Sequence, residues 1–235
     1  SYDCVLQTGG SDQWGNLTSG VDLIHRSEGV SVHAIGTPLI TNSDGTKFGK
    51  SEGNAIWLDP TMCSPYAFYQ FWLNTDDADV ATRLKVFTFL TRAEIEALEQ
   101  KVADEPFRRE AQRRLAWEVT ALVHGVDAAT AAIDASQALF GQGELGALDA
   151  ETLAAALREL PNITAPAGLT VVQALVDTGL CSSLGEARRA VAQGGVSLDN
   201  VKVADEASTI TGALPGGVSV LRRGKKTLAG IFIEG

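Results

Sequence analysis

The sequence predicts a mixed chain in three folded parts, an α/β unit over residues 1–58, an α-helical domain over 59–146 and, beyond a linker at 147–168, a small α+β domain over 169–235. Three observations predict it. A strand, a glycine-rich loop, a helix, a second strand and a second glycine-broken loop follow one another in the first 58 residues, as in a βαβ unit. From Asp59-Pro60 the texture changes to capped helices, and from Leu169 two short helices lead into a hairpin. With 235 residues, 45% of them hydrophobic, the chain is long enough for more than one core. No apolar run approaches the length of a membrane span.

Cys4-Val5-Leu6-Gln7 is expected to end a short buried strand, and Thr8 to Asn16 to form the loop after it. Paired glycines beside an acid and an amide at a strand's C-terminal end suit a nucleotide site in an open α/β sheet. Gly9 and Gly10 permit close backbone approach, Asp12 can accept from ribose hydroxyls and Gln13 can bond a carbonyl. A tight turn with an Asx cap is the competing explanation. Leu17, Val21, Leu23 and Ile24 space a helix over 17–28 that stops at Gly29, and Ser31 to Gly36 is the next strand.

The loop from Thr37 to Ser51 sets Lys47 and Lys50 three residues apart, with Gly49 between them and the Ser51 hydroxyl after them. Ammonium groups can approach anionic oxygens as point charges, and Gly45 and Gly49 let the backbone bend so that N–H groups add donors. A solvated surface loop is the alternative. A P-loop fails on spacing, because three residues rather than four separate Gly45 from Gly49 and Glu52-Gly53-Asn54 follows the serine.

Ser64-Pro65 starts a core helix dense in aromatics, Asp77 to Leu90 gives another, and Thr91-Arg92-Ala93-Glu94 is a capping box for residues 93–103. Phe107, Ala111, Leu115, Val119 and Leu122 form an apolar stripe on a long helix ending at His124-Gly125. Arg108, Arg109, Arg113 and Arg114 lie off it, either on RNA or on a solvated face paired with Glu110. Gly141 to Pro166 has the composition of a linker around a short helix at 150–159. In the last part, a helix with Val172, Leu175 and Val176 precedes a second at 184–193. Gly194-Gly195 ends that helix and a hairpin follows over Val196–Val203.

The formal net charge is −10, yet residues 169–235 hold seven basic and six acidic residues. Arg222-Arg223-Gly224-Lys225-Lys226 is the densest basic cluster and can bind phosphate locally. Cys4, Cys63 and Cys181 are far apart and odd in number, which predicts buried thiols in a reducing cytoplasm rather than disulfides or a zinc site. His25, His33 and His124 lack metal-ligand spacing. A start at Ser1, without a methionine or a charged-then-apolar leader, suggests a fragment or a processed chain.

Gln7 to Asn16, followed about thirty residues later by Asp44 to Ser51, resembles the bacterial tyrosyl-tRNA synthetases, a class I aminoacyl-tRNA synthetase family. The resemblance covers the whole chain and implies that residues 1–58 are the C-terminal part of a Rossmann-like catalytic domain. It further implies that Gly10 and Asp12 contact the adenylate ribose, Gln13 the tyrosyl carboxyl group, and Leu39 and Ile40 the adenine. Lys47, Lys50 and Ser51 would hold the pyrophosphate leaving group. The middle domain would approach the anticodon arm. Ser182 to Arg189 before Gly194-Gly195-Val196 resembles the RNA-binding module of the small-subunit ribosomal protein S four. By that likeness Arg188, Arg189, Arg222, Arg223, Lys225 and Lys226 would grip tRNA phosphates.

The family's N-terminal half, with its histidine-containing ATP motif, most of the tyrosine pocket and much of the dimer interface, has no counterpart here. What the resemblance implies is therefore a cytoplasmic, homodimeric tyrosine–tRNA ligase using ATP with Mg2+ and no tightly bound metal. A tRNA-binding piece without chemistry and the related tryptophanyl enzyme are the alternatives.

Overall fold

The computed structural model describes residues 3–46, 48–49, 56–225 and 227–234. The chain separates into two compact units, Ser1–Ala55 and Ile56–Gly235.

In the first unit β1 (Leu6–Gly10) leads through one 3-10 turn (Ser11–Gln13) into α1 (Trp14–Glu28), and β2 (His33–Thr37) returns beside β1. The strands are parallel, with Leu6 opposite His33 and Gly10 opposite Thr37. Parallel neighbours need a crossover, which α1 supplies. Leu17 is the side chain α1 buries, and Gly29 stops the helix in the left-handed region (φ +69°) with its N–H on the His25 carbonyl. Two expectations change. Val5 and Leu6 are 56% and 44% exposed, so the first strand is not buried within this unit. The loop predicted from Thr8 shortens, because β1 runs through both glycines and the helix begins at Trp14.

The second unit opens with α2 (Pro65–Leu73), α3 (Asp77–Phe87), α4 (Arg92–Asp104), α5 (Glu110–His124), α6 (Val126–Leu139) and α7 (Ala150–Arg158). The Ser64 hydroxyl caps α2 by accepting from the Ala67 amide, and Tyr66, Phe68, Tyr69 and Trp72 are buried, so this aromatic run packs the core. Thr91 and Glu94 form the predicted capping box on α4. The stripe on α5 differs from its prediction at both ends. Phe107 precedes the helix and is 78% exposed, and Leu122 is also exposed. Packing follows the i, i+4 rows Ala111–Leu115–Val119 and Gln112–Ala116–Thr120, which drift around the helix and leave Leu122 behind. Helix α6, which the sequence reading passed over, buries Ala129, Ala132, Ala135 and Ala138, a face of small residues.

The supposed linker is folded. Asp149 caps α7, which buries Leu153, Ala156 and Leu157, and β3 (Asn162–Ala165) lies parallel to a later strand, β7 (Thr227–Ile233). A Cβ on Gly230 would sit 2.8 Å from that of Leu157, so β7 and α7 approach where only glycine fits. After α8 (Val171–Asp177) and α9 (Leu184–Ala192) come β4 (Val196–Leu198), β5 (Val201–Lys202) and β6 (Val218–Arg223). The sheet order is β3-β7-β6-β4-β5. Asp199 and Asn200 turn the β4–β5 hairpin with φ of 51° and 66°, the two positive angles a type I′ turn needs. Cys181 is buried and Cys63 half-buried, but Cys4 is exposed, against expectation.

His124 ends α5 with its ring edge-on to Phe68 (centroids 4.7 Å apart), and its buried Nε2 has no partner among the described residues. Burial holds this imidazole below its usual range. The unfolded chain then takes up a proton first as the pH falls through about 6.5, so stability is lost on acidification in that window. Between about pH 7.5 and 5.5, the urea midpoint of the wild type is expected to drop further than that of His124→Gln. Equal drops would remove His124 as the cause.

Candidate functional site

The C-terminal ends of β1 and β2 meet at Gly10 and Thr37, the edge where open α/β sheets bind ligands. Gly10 caps the 3-10 turn from extended backbone (φ −67°, ψ 158°), and that turn sends Asp12 back over it. A Cβ on Gly10 would lie 2.8 Å from Asp12 Oδ1 and 3.2 Å from Leu39 Cδ2. Three residues singled out in the sequence, 29 positions apart at the extremes, thus converge on one spot. Gln13 packs at the neighbouring glycine, its Cβ 3.5 Å from where a Gly9 Cβ would be, on the other face of the strand. The Asn16 side-chain amide donates to Gln13 Oε1 (2.8 Å), which orients the Gln13 amide. The Thr37 hydroxyl donates to the Gly9 carbonyl (3.3 Å), and the Trp14 ring lies 3.3 Å from a Cβ on Gly36. Thr37 and Trp14 were not foreseen as parts of this edge, although Trp14 stood inside the quoted motif.

The lysine loop leaves this edge. Ile40 is half-buried and its carbonyl accepts the Phe48 amide (3.1 Å). Asn42 and Thr46 clasp the turn between them through the Asn42 amide on the Thr46 carbonyl (2.8 Å) and the Asn42 side chain on the Thr46 hydroxyl (2.9 Å). Asp44 accepts from the Thr46 hydroxyl (2.6 Å) and amide (2.9 Å), and these bonds hold its carboxyl below the usual range. Gly45 and Gly49 have φ of +84° and +73°, angles that favour glycine. Lys47, Lys50 and Ser51 lie outside the described residues.

A second set of candidates lies on the C-terminal sheet and α9. Arg188 and Arg189 are exposed on α9, with Arg188 in a solvated pair 3.4 Å from Glu206. Lys225 is exposed at the β6–β7 turn, Arg222 is half-buried, and Lys226 lies outside the described residues. Arg223 is committed within the fold. Its guanidinium donates to the Leu180 carbonyl and to Glu186 Oε1 (2.7 Å). Glu186 also accepts from the Ser182 hydroxyl and amide, and these bonds, with Arg223, pull its carboxyl down to about 2.

The four arginines around the start of α5 divide similarly. Arg109, in the left-handed region, donates to the carbonyls of Leu73 (2.7 Å) and Thr75 (3.1 Å) and so pins the α2–α3 connection. Arg108 pairs with Glu105, and Arg114 with Glu94 and Glu118. Glu110 pairs with Lys101 rather than with an arginine.

Residues 1–141 match the family of class I tRNA synthetases (W and Y), and residues 152–230 match the tyrosine–tRNA ligase SYY-like C-terminal domain. A protein of Leifsonia xyli subsp. xyli described as tyrosine–tRNA ligase is 70% identical over 235 residues, 99% of this chain and 53% of that protein. One of Streptomyces avermitilis with the same description is 56% identical, over 100% of this chain and 56% of its own length. One of Streptomyces coelicolor is 54% identical over the same shares. The chain spans about half the length of the curated relatives it matches. The converging Gly10, Asp12 and Leu39 and the lysine loop all fall inside the first matched span, and the chain belongs to the tyrosyl-tRNA synthetase family of class I tRNA synthetases.

Proposed function

We propose that this chain forms the ribose, adenine and pyrophosphate side of the activation site of a tyrosine–tRNA ligase, together with its tRNA-gripping C-terminal surface. In the first step a tyrosine carboxylate oxygen attacks the α-phosphorus of ATP, the bond to the bridging oxygen breaks, and pyrophosphate leaves. In the second, a terminal ribose hydroxyl of tRNA attacks the acyl carbonyl and AMP leaves. Neither step needs a nucleophilic side chain from the protein, so its part is positioning and charge stabilisation.

The convergence of Gly10, Asp12 and Leu39 at one strand end carries this proposal. The missing side chain at Gly10 gives room for a ribose beside the Asp12 carboxylate, and Leu39 and Ile40 offer an apolar face to the adenine. Gln13, with its oxygen held by Asn16, turns its amide N–H groups toward a carboxyl group. Lys47, Lys50 and Ser51 take the charge that builds on the leaving pyrophosphate. Mg2+ arrives with ATP as part of the substrate. The family membership also supports a homodimer acting in the cytoplasm, which light scattering and localisation of the protein containing this chain would test. Tyrosine-dependent exchange of pyrophosphate into ATP by that protein tests the enzymatic reading.

On the tRNA side, Arg188, Arg189, Arg222, Lys225 and Lys226 are the phosphate contacts, while Arg223 holds α9 to the sheet through Glu186. Neutralising those five to Gln is expected to weaken tRNA binding by the 235-residue chain and to flatten the slope of log affinity against log salt by several units, about 0.9 per lost contact. Unaltered affinity and slope would move the RNA surface elsewhere.

A further inference from the structure

Gln13 and Asn16 form an amide pair at the start of α1, and the sense of that pair decides what the strand end presents to a ligand. Gln13 holds the N-cap position and Asn16 the third position of the helix. A capping side chain there ordinarily accepts from a main-chain N–H of the first turn, which the short Ser, Thr, Asp and Asn do best. Gln13 makes no such bond. Its Oε1 accepts instead from the Asn16 side-chain amide (2.8 Å), the one hydrogen-bond partner of the Gln13 side chain among the described residues. Both residues are exposed, so a bond between them adds little to folding.

What the bond does settle is orientation. The two ends of a primary amide are alike in shape and opposite in polarity, the nitrogen donating twice and the oxygen only accepting. Free to turn, Gln13 would offer either end. With Oε1 taken by Asn16, the Nε2 group is left to face a ligand, and it suits an anionic oxygen. We propose that Asn16 is a positioning residue that fixes the Gln13 amide in this sense and thereby makes the site select a substrate with a free α-carboxylate. This inference rests on the reading of Gln13 above as the group that meets the tyrosyl carboxyl, and adds a residue that acts only through it.

The expected sizes follow from the two senses of the amide. Asn16→Ala leaves the amide free to turn, so about half the population offers the wrong end and tyrosine affinity falls about twofold. Asn16→Asp reverses the pair. The new carboxylate can only accept, so it takes a Gln13 N–H and turns Oε1 toward the substrate carboxylate. Tyrosine then binds about tenfold more weakly, the loss of one hydrogen bond to a charged group. Tyramine, the same molecule without its carboxylate, is affected by neither change.

The test is exchange of pyrophosphate into ATP by the protein containing this chain, giving KM for tyrosine and for ATP, together with inhibition by tyramine. Asn16→Ala and Asn16→Asp are expected to raise the tyrosine KM in that order, with the ATP KM and tyramine inhibition held near wild type. A variant acting through misfolding would move all three. In a Gln13→Ala background Asn16→Asp should add almost nothing, because the group it turns is gone. An undiminished loss there would mean that the new charge repels the substrate directly, and the inference falls. It falls equally if Asn16→Asp matches wild type, or if tyramine binding weakens as much as tyrosine binding. In each of these cases a raised tyrosine KM in Gln13→Ala alone keeps the reading of Gln13 standing. An unchanged tyrosine KM in Gln13→Ala would overturn both.

Discussion

Lys50→Ala, made in the protein that carries this chain, is expected to slow tyrosyl-adenylate formation by about 10²- to 10³-fold while leaving tyrosine affinity almost unchanged. The reason is where charge develops. As the α-phosphorus passes from the bridging oxygen to the carboxylate, negative charge grows on the leaving pyrophosphate, and an ammonium group aimed there acts more strongly in the transition state than on bound ATP. The loop is suited to bring it there. Gly45 and Gly49 both adopt positive φ, and the Asn42–Thr46 clasp fixes the turn that precedes the first lysine. Single-turnover adenylate formation separates this from binding, and an unchanged rate would take the loop out of the mechanism.

Gly10→Ala is expected to lower kcat/KM for ATP by about 10- to 100-fold, the size of a lost hydrogen bond to a charged group. The backbone of Gly10, at φ −67°, suits any residue, so the fold should survive. The new methyl carbon, however, would enter at 2.8 Å from Asp12 Oδ1 and 3.2 Å from Leu39, and the carboxylate must give way. Asp12→Ala should produce a loss of the same order. Because both changes remove the same interaction, the double variant should be little worse than Asp12→Ala alone. Additive losses would mean that Gly10 acts separately, and an unfolded Asp12→Ala would make the carboxylate a turn cap rather than a ligand group.

Much of the local structure was legible because it depends on chemistry within a few residues. Gly29 stops α1, Ser64-Pro65 opens α2, Thr91 and Glu94 cap α4, and Asp199-Asn200 turns a hairpin, each by bonds or angles its own neighbours dictate. The parallel pairing of β1 and β2 was also accessible, since a helix-length crossover separates two short apolar strands. What escaped depends on partners distant in sequence. The core face of α6 is alanine, which carries little hydrophobic signal yet lets helices approach closely. The 147–168 stretch looks like a linker by composition, but Leu157 packs on Gly230 and β3 pairs with β7, contacts more than 60 residues away.

The site was legible for the same reason in one place and not in another. Gly10 and Asp12 are two residues apart, so their meeting required only a turn, whereas the convergence of Leu39 with them needed the second strand. A run of arginines and lysines cannot say which members are already paired. Arg223 belongs to Glu186 and Leu180 and Arg109 to two carbonyls, distinctions that exist only once α2, α9 and the sheet are in place.

The most direct measurement is exchange of labelled pyrophosphate into ATP by the protein containing this chain, with tyrosine or tryptophan supplied separately and with Asp12 intact or changed to Ala. Exchange that requires tyrosine, is absent with tryptophan and falls about 10-fold or more in Asp12→Ala is the predicted result. Exchange driven by tryptophan, or tyrosine-driven exchange indifferent to Asp12, would contradict it.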